Sequence, residues 1–157
     1  MTKFTLYKIY YECGLMYIGR TKQPLQSRLR GHFFKKPMQR EIDIELVTRI
    51  GYAEFESEAD MFLYEVYYIN KLKPSLNCDD KARDELTVDL PYVEFVQYDC
   101  KLMEKWKTKI NEDDREYERK RKERIDNEVK LRELRKRKSK GEVSEEEYYQ
   151  FKESMGL

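Results

Sequence analysis

Between residues 111 and 140 the chain is almost wholly charged, and this decides where a core can form. Only Tyr117, Ile125, Val129, Leu131 and Leu134 offer substantial apolar surface there. The stretch still favours a helix. Glu116–Lys120, Glu118–Lys122, Asp126–Lys130 and Glu128–Arg132 are i,i+4 pairs with the acid on the N-terminal side, the stabilising polarity. A long solvated helix is predicted, ended by Gly141. Ser144 and Glu147 then form a capping-box signature, with Val143 and Tyr148 as its hydrophobic staple, ahead of a short helix over 145–155. The buried core must come from the residues before this arm.

Those residues carry strand, turn and helix signals in sequence. FTLYKIYY at 4–11 is rich in aromatic and β-branched types and predicts a strand. Glu12-Cys13-Gly14 turns the chain into a second strand, LMYIG, making a hairpin. Pro24 opens a helix over 24–33. Ile42, Leu46, Val47 and Ile50 fall at helical spacing and predict a helix over 38–50, stopped by Gly51. YAEFE at 52–56 alternates as a third strand. Ser57 and Asp60 start a helix over 58–71 with Phe62, Val66 and Ile69 as its apolar face, ending before Pro74. From Pro91, apolar residues recur near a 3.6-residue period. The expected class is mixed α/β (α+β), in the order β-β-α-α-β-α. The expected division is a domain over 1–90 followed by a charged helical arm over 91–157.

The formal net charge of +1 hides a segregation. Residues 1–40 balance to +8, residues 41–100 to −10 and residues 101–157 to +3. A basic N-terminal third suits an anionic partner. Cys13, Cys78 and Cys100 form no C-x-x-C pair, and a single histidine cannot build a His-rich zinc site. No apolar run nears the ~20 residues a membrane span needs, and the first residues lack the apolar region of a signal peptide. A soluble, cytoplasmic protein with reduced thiols and no membrane partner is expected.

One short stretch concentrates chemistry. MYIGRTKQPLQSRLRGHF, at 16–33, carries Tyr17, three arginines and the only histidine. Arg28 and His32 are four apart on one helix face, and an arginine fork can hold a phosphate through two oxygens. Tyr7 and Tyr17 sit on the two hairpin strands. Glu65 lies in an otherwise apolar and aromatic helix, where a carboxylate needs a reason. Singly, each has an ordinary reading as packing, solvated charge or turn residue.

Together they form a pattern. Tyr17-Ile18-Gly19, then Arg28 and His32, then Glu65 in EVYYI, then Pro74-Ser75-Leu76-Asn77 resemble the ordered motifs of the GIY-YIG nuclease superfamily, over residues 4 to about 80. The first signature is degraded. Thr5-Leu6-Tyr7 stands at the usual spacing, while Ile9-Tyr10 is closer in letters, so either Tyr7 or Tyr10 can supply its tyrosine. The resemblance implies a DNA endonuclease using one divalent metal, Mg²⁺ or Mn²⁺, held by Glu65. Tyr7 or Tyr17 would activate water, Arg28 would stabilise phosphate charge, and His32 and Asn77 would complete the catalytic set. A phenol is a weak base at neutral pH, so nearby cations (Arg20, Lys22, His32) are expected to lower its pKa. Arg20, Lys22, Arg30, Lys35 and Lys36 are candidate DNA contacts. Arg135, Lys136, Arg137 and Lys138 are a second basic run, suited to the DNA backbone or to an arm that dimerises the chain. Small free-standing relatives are common in phages as homing or restriction-like enzymes, which implies a bacterial or phage-infected cytoplasm. The other reading is a catalytically degenerate domain that binds DNA or a protein.

Overall fold

A computed structural model describes residues 3–77 and 85–155. Cys78 lies outside the described residues. Strand β1 (Phe4–Tyr11) is buried on both faces because it is central: the sheet order is β2-β1-β3-β4, and each neighbour is antiparallel to the next. Strand β2 (Gly14–Thr21) returns from a turn at Gly14, whose φ of 125° favours glycine. The register sets Tyr7 opposite Gly19 and Ile9 opposite Tyr17, then slips at Ile9/Tyr10. Strand side chains alternate, so Tyr7, Ile9, Tyr17 and Gly19 share one face while Leu6, Lys8, Ile18 and Arg20 share the other.

Helix α1 (Leu25–Phe33) covers the first face with Leu29 and Phe33, and helix α2 (Glu58–Leu72) covers the second with Met61, Tyr68 and Ile69. The Ser57 side chain caps α2 by accepting from the Asp60 amide. Phe62 is not on its buried face as expected; it is 45% exposed, one position past Met61, which points inward. Lys8 is buried on the second face with its ammonium 3.6 Å from the Tyr68 ring centre and 3.9 Å from that of Phe95, and burial lowers its pKa to about 8.

The helix expected over 38–50 does not form. Short 3₁₀ turns at Pro37–Gln39 and Ile44–Leu46 take its place, followed by β3 (Arg49–Phe55). The Asp43 carboxylate accepts from the Glu45 amide and so caps the second turn locally. The free edge of β1 takes up the rest: Thr48 gives both its amide and its hydroxyl to the Tyr10 carbonyl, and Ile50 pairs with Ile9. Ile42, Val47 and Ile50 still reach the core, in turns and strand rather than as a helix stripe, while the expected Leu46 is exposed and Ile44 is buried in its place.

Two-residue β4 (Val96–Gln97) extends the sheet, so the periodicity expected from Pro91 becomes helical only at α3 (Cys100–Ser139). Asp99 starts α3 by accepting from the Lys101 and Leu102 amides. Met103, Trp106 and Ile110 then pack with Tyr7, Phe33, Ile42 and Val47. The first compact unit therefore ends at Ile110, not near residue 90. Among the described residues the α-helices are α1, α2, α3 and a final α4 (Glu145–Ser154), and the order is β-β-α-β-α-β-α-α.

Residues 111–157 form the second unit. Within it Glu116 and Lys120 pair at 2.6 Å as the i,i+4 rule expects, Gly141 turns the chain with φ of 75°, and Ser144 and Glu147 make the full reciprocal capping box. Leu131 and Tyr148 are its buried residues, and Arg135 donates to the Tyr148 hydroxyl at 3.0 Å. No described helix is long and apolar enough to cross a membrane.

Candidate active site

Helix α1 aims Arg28 and His32 back at the first sheet face, as their four-residue spacing requires. There the Tyr7 Oη lies 2.7 Å from His32 Nε2, and Arg28 Nε donates to the same oxygen at 3.2 Å. Because Arg28 is a donor only, the phenol hydrogen is free to go to Nε2, which leaves the imidazole proton on Nδ1. The Tyr17 ring meets His32 edge-on at 5.3 Å and Tyr7 at 6.0 Å. Gly19 makes room for both phenols. A Cβ there would stand 2.5 Å from the Tyr7 Oη and 2.6 Å from Tyr17 Cε1. Tyr10 goes elsewhere, under the Arg49 guanidinium at 4.0 Å, so the structure brings Tyr7 to Arg28 and His32.

The electrostatics differ from expectation. Burial, then the neighbouring Tyr17, push the Tyr7 phenol well above its usual range, and these outweigh the opposing pull of Arg28. Burial lowers His32 to about 4, with help from the charges of Arg28 and Lys35. Near neutrality the pair is therefore an uncharged phenol and an uncharged imidazole, where the sequence suggested a phenol acidified by cations. The hydrogen bond to Tyr7 holds Arg28 charged.

Glu65 approaches from the other face. Its side chain is 7% exposed, and Arg20 Nε lies 2.9 Å from its Oε2. The same guanidinium rests over the Phe62 ring at 4.7 Å. Arg20 alternates to this face because it follows Gly19 on β2. Since β2 is an edge strand, the two half-sites meet around it: Tyr17, Arg28, Arg20, Lys22, Met61 and Glu65, with Thr21 and Gln23, line one open cleft of about 480 Å³.

Asn77 is not in the cleft. Its Oδ1 accepts from the Ile18 amide at 2.8 Å and its Nδ2 donates to the Ile18 carbonyl at 2.7 Å, fixing the strand between Tyr17 and Gly19. Leu76 N donates to the Met16 carbonyl beside it. Of the expected DNA contacts, Arg20 and Lys22 line the cleft, with Lys22 also paired to Glu58 at 2.5 Å. Lys35 lies close enough to bear on His32, Arg30 stacks over Phe34 at 4.9 Å, and Lys36 is exposed ahead of Pro37. In the second unit Arg135 bonds Tyr148, Arg137 faces Glu142 at 3.6 Å and Lys138 pairs with Glu145 at 2.8 Å.

Two cleft residues escape the motif reading. The Thr21 hydroxyl accepts from the Gln23 amide and closes the turn into α1; Thr-x-Gln-Pro ahead of a helix is the signal. Met61, one helical turn before Glu65, was legible from spacing alone. No group of three or more His, Cys, Asp and Glu suited to a metal occurs among the described residues, and Glu65 is the carboxylate that lines the cleft. That donor set fits Mg²⁺, which keeps several waters and needs one or two carboxylates beside substrate phosphate. No family model matches this chain, and comparison with curated proteins and with solved structures returns no match.

Proposed function

We propose that this chain is a divalent-metal-dependent DNA endonuclease that hydrolyses phosphodiester bonds with one metal at Glu65. The observation that carries the reading is the cleft around β2, where the Tyr17 and Arg28 side and the Glu65 side open on the same space. Arg20 is paired with Glu65 and Lys22 with Glu58, while Arg28 bonds the neutral Tyr7 phenol and keeps its charge for an anionic substrate. Mg²⁺ or Mn²⁺ bound at Glu65 supplies Lewis-acid stabilisation of the phosphate.

The chain's own residues do the rest. Arg28 holds the phosphate oxygens and meets the charge that grows in the transition state. Water attacks phosphorus, one P–O ester bond breaks, and the departing alkoxide takes a proton from cleft water. The attacking water's proton passes to the Tyr17 hydroxyl at the cleft wall as the Tyr17 proton moves on to the buried Tyr7 hydroxyl and the Tyr7 proton to Nε2 of His32, which leaves two neutral phenols and an imidazolium. An anion bound at Arg28 offsets part of the charge that depresses His32, so substrate makes the imidazole a better acceptor.

A second reading, a catalytically degenerate DNA- or protein-binding module, draws support from the Arg20 pair, which already neutralises Glu65. Metal-dependent plasmid cleavage by the full chain separates the two. Glu65→Gln abolishes cleavage and preserves DNA binding if Glu65 holds the metal; full activity in that variant rules out the metal assignment.

A further inference from the structure

Beside the cleft lies a recess of about 450 Å³ that this mechanism does not use, and Lys22 and Gln23 wall both. Its floor continues the sheet face that carries the phenols. Tyr52 stands directly across the β1–β3 ladder from Tyr7. Tyr98, just past β4, meets the Tyr52 ring nearly perpendicular, with centroids 6.3 Å apart. Strands lie about 4.8 Å apart, so Tyr52 is one strand spacing from Tyr7, and Lys22 and Gln23, which wall both spaces, make the recess the cleft's immediate neighbour.

Charge separates the two spaces. In the recess Lys3 pairs with Glu54, and Lys22 is paired to Glu58, so the lining is close to neutral. The cleft adds Arg28, a charge held against the neutral Tyr7 phenol. A phosphate belongs in the cleft. The recess instead offers two aromatic rings for stacking, with the Gln23 amide and the Glu54 carboxylate able to meet donors and acceptors on a base edge.

We infer that the recess binds one nucleobase of the DNA strand, next to the phosphate held in the cleft. The inference rests on the nuclease reading above, and its test does not depend on turnover. The full-length protein is titrated calorimetrically with a deoxynucleoside 3′,5′-bisphosphate and with the same sugar bisphosphate lacking its base. The expected result is about tenfold tighter binding of the ligand with a base, the scale of one base–aromatic stack. Tyr98→Leu should erase that preference and Tyr98→Phe should keep it. Tyr98 also packs near Trp106, with centroids 6.1 Å apart, so Tyr52→Leu provides a second variant that should likewise erase it. Equal affinity of the wild-type protein for the two ligands, or a preference that survives both leucine substitutions, overturns the base site. Binding of neither ligand also overturns it. DNA cleavage, measured separately, then decides whether the nuclease reading falls with it or stands alone.

Discussion

Arg20, Lys22 and Arg28 line one cleft, whereas in the run from Arg135 to Lys138 three of the four basic side chains meet partners in α4 or the turn before it. In sequence the second run looks the stronger anion site, because its charges are contiguous. In the fold, Glu142, Glu145 and the Tyr148 hydroxyl stand against it. The first set is scattered over nine residues of sequence, yet the strand, turn and helix that carry it converge on one space. Arg20 and Lys22 also meet carboxylates, Glu65 and Glu58, but Arg28 is held by the neutral Tyr7 phenol, so the cleft gathers its cations around one space and keeps one charge for a ligand. Contiguity alone does not achieve that.

The sharpest way to break this contrast is Arg28→Ala. Single-turnover cleavage should fall by about 10² or more, the scale of losing one preorganised charge stabiliser. Lysine should rescue poorly, because it lacks the fork that reaches both Tyr7 and a phosphate. Equal rates for the Arg and Lys forms would make Arg28 an ordinary surface charge and remove the difference between the two regions.

His32 reports the focused field more gently. Its unfolded imidazole titrates near 6.5 and its folded one near 4, so between those values the unfolded chain binds more protons. Stability is therefore lost as pH falls through that window, by about 3 kcal/mol at most and less once solvent screening of the part-exposed ring is counted. Denaturant midpoints across the window should show the slope, and His32→Gln should flatten it. As the chain has a single histidine, NMR can follow its ring directly, and a non-cleavable DNA strand should move its pKa upward. A ring that titrates normally without DNA would mean that neither burial nor the charges of Arg28 and Lys35 act on it.

The smallest effect is expected at the second run. Replacing Arg135, Lys136, Arg137 and Lys138 together by glutamine should change the log–log salt slope of DNA binding by less than about 0.9, the contribution of one phosphate contact. A fall of several such steps would show that the run grips DNA despite its internal partners, and the contrast would dissolve. Sedimentation of the same variant reads any dimer made through the arm.

What was legible in the sequence follows the range of the forces involved. The starts of α1, α2 and α4 were marked by Pro24, Ser57 and Ser144 because capping is local chemistry. The 38–50 segment was not, since its helical spacing competed with a distant demand, the unpaired edge of β1. The start of α3 shifted to Cys100 because Asp99 caps it and Val96–Gln97 add to the sheet, neither of which a periodicity records. Among the candidate site residues, the strand and helix positions of Tyr7, Arg28 and His32 put them within hydrogen-bonding reach of one another. The direction of the Tyr7 shift was misjudged, as neighbouring charges can be counted in a sequence but burial cannot.

The bonds from Asn77 and Leu76 to β2 have a consequence for the protein in a crowded solution. An edge strand presents a row of unpaired amides and carbonyls that another chain can extend, a route to edge-to-edge aggregation. Here Ile18 N, Ile18 O and Met16 O are already occupied by residues of the same chain. The strand that carries Tyr17 and Gly19 is thus closed to intermolecular sheet growth at its middle, and the cleft can stay open to a ligand without leaving its backbone open to a neighbour.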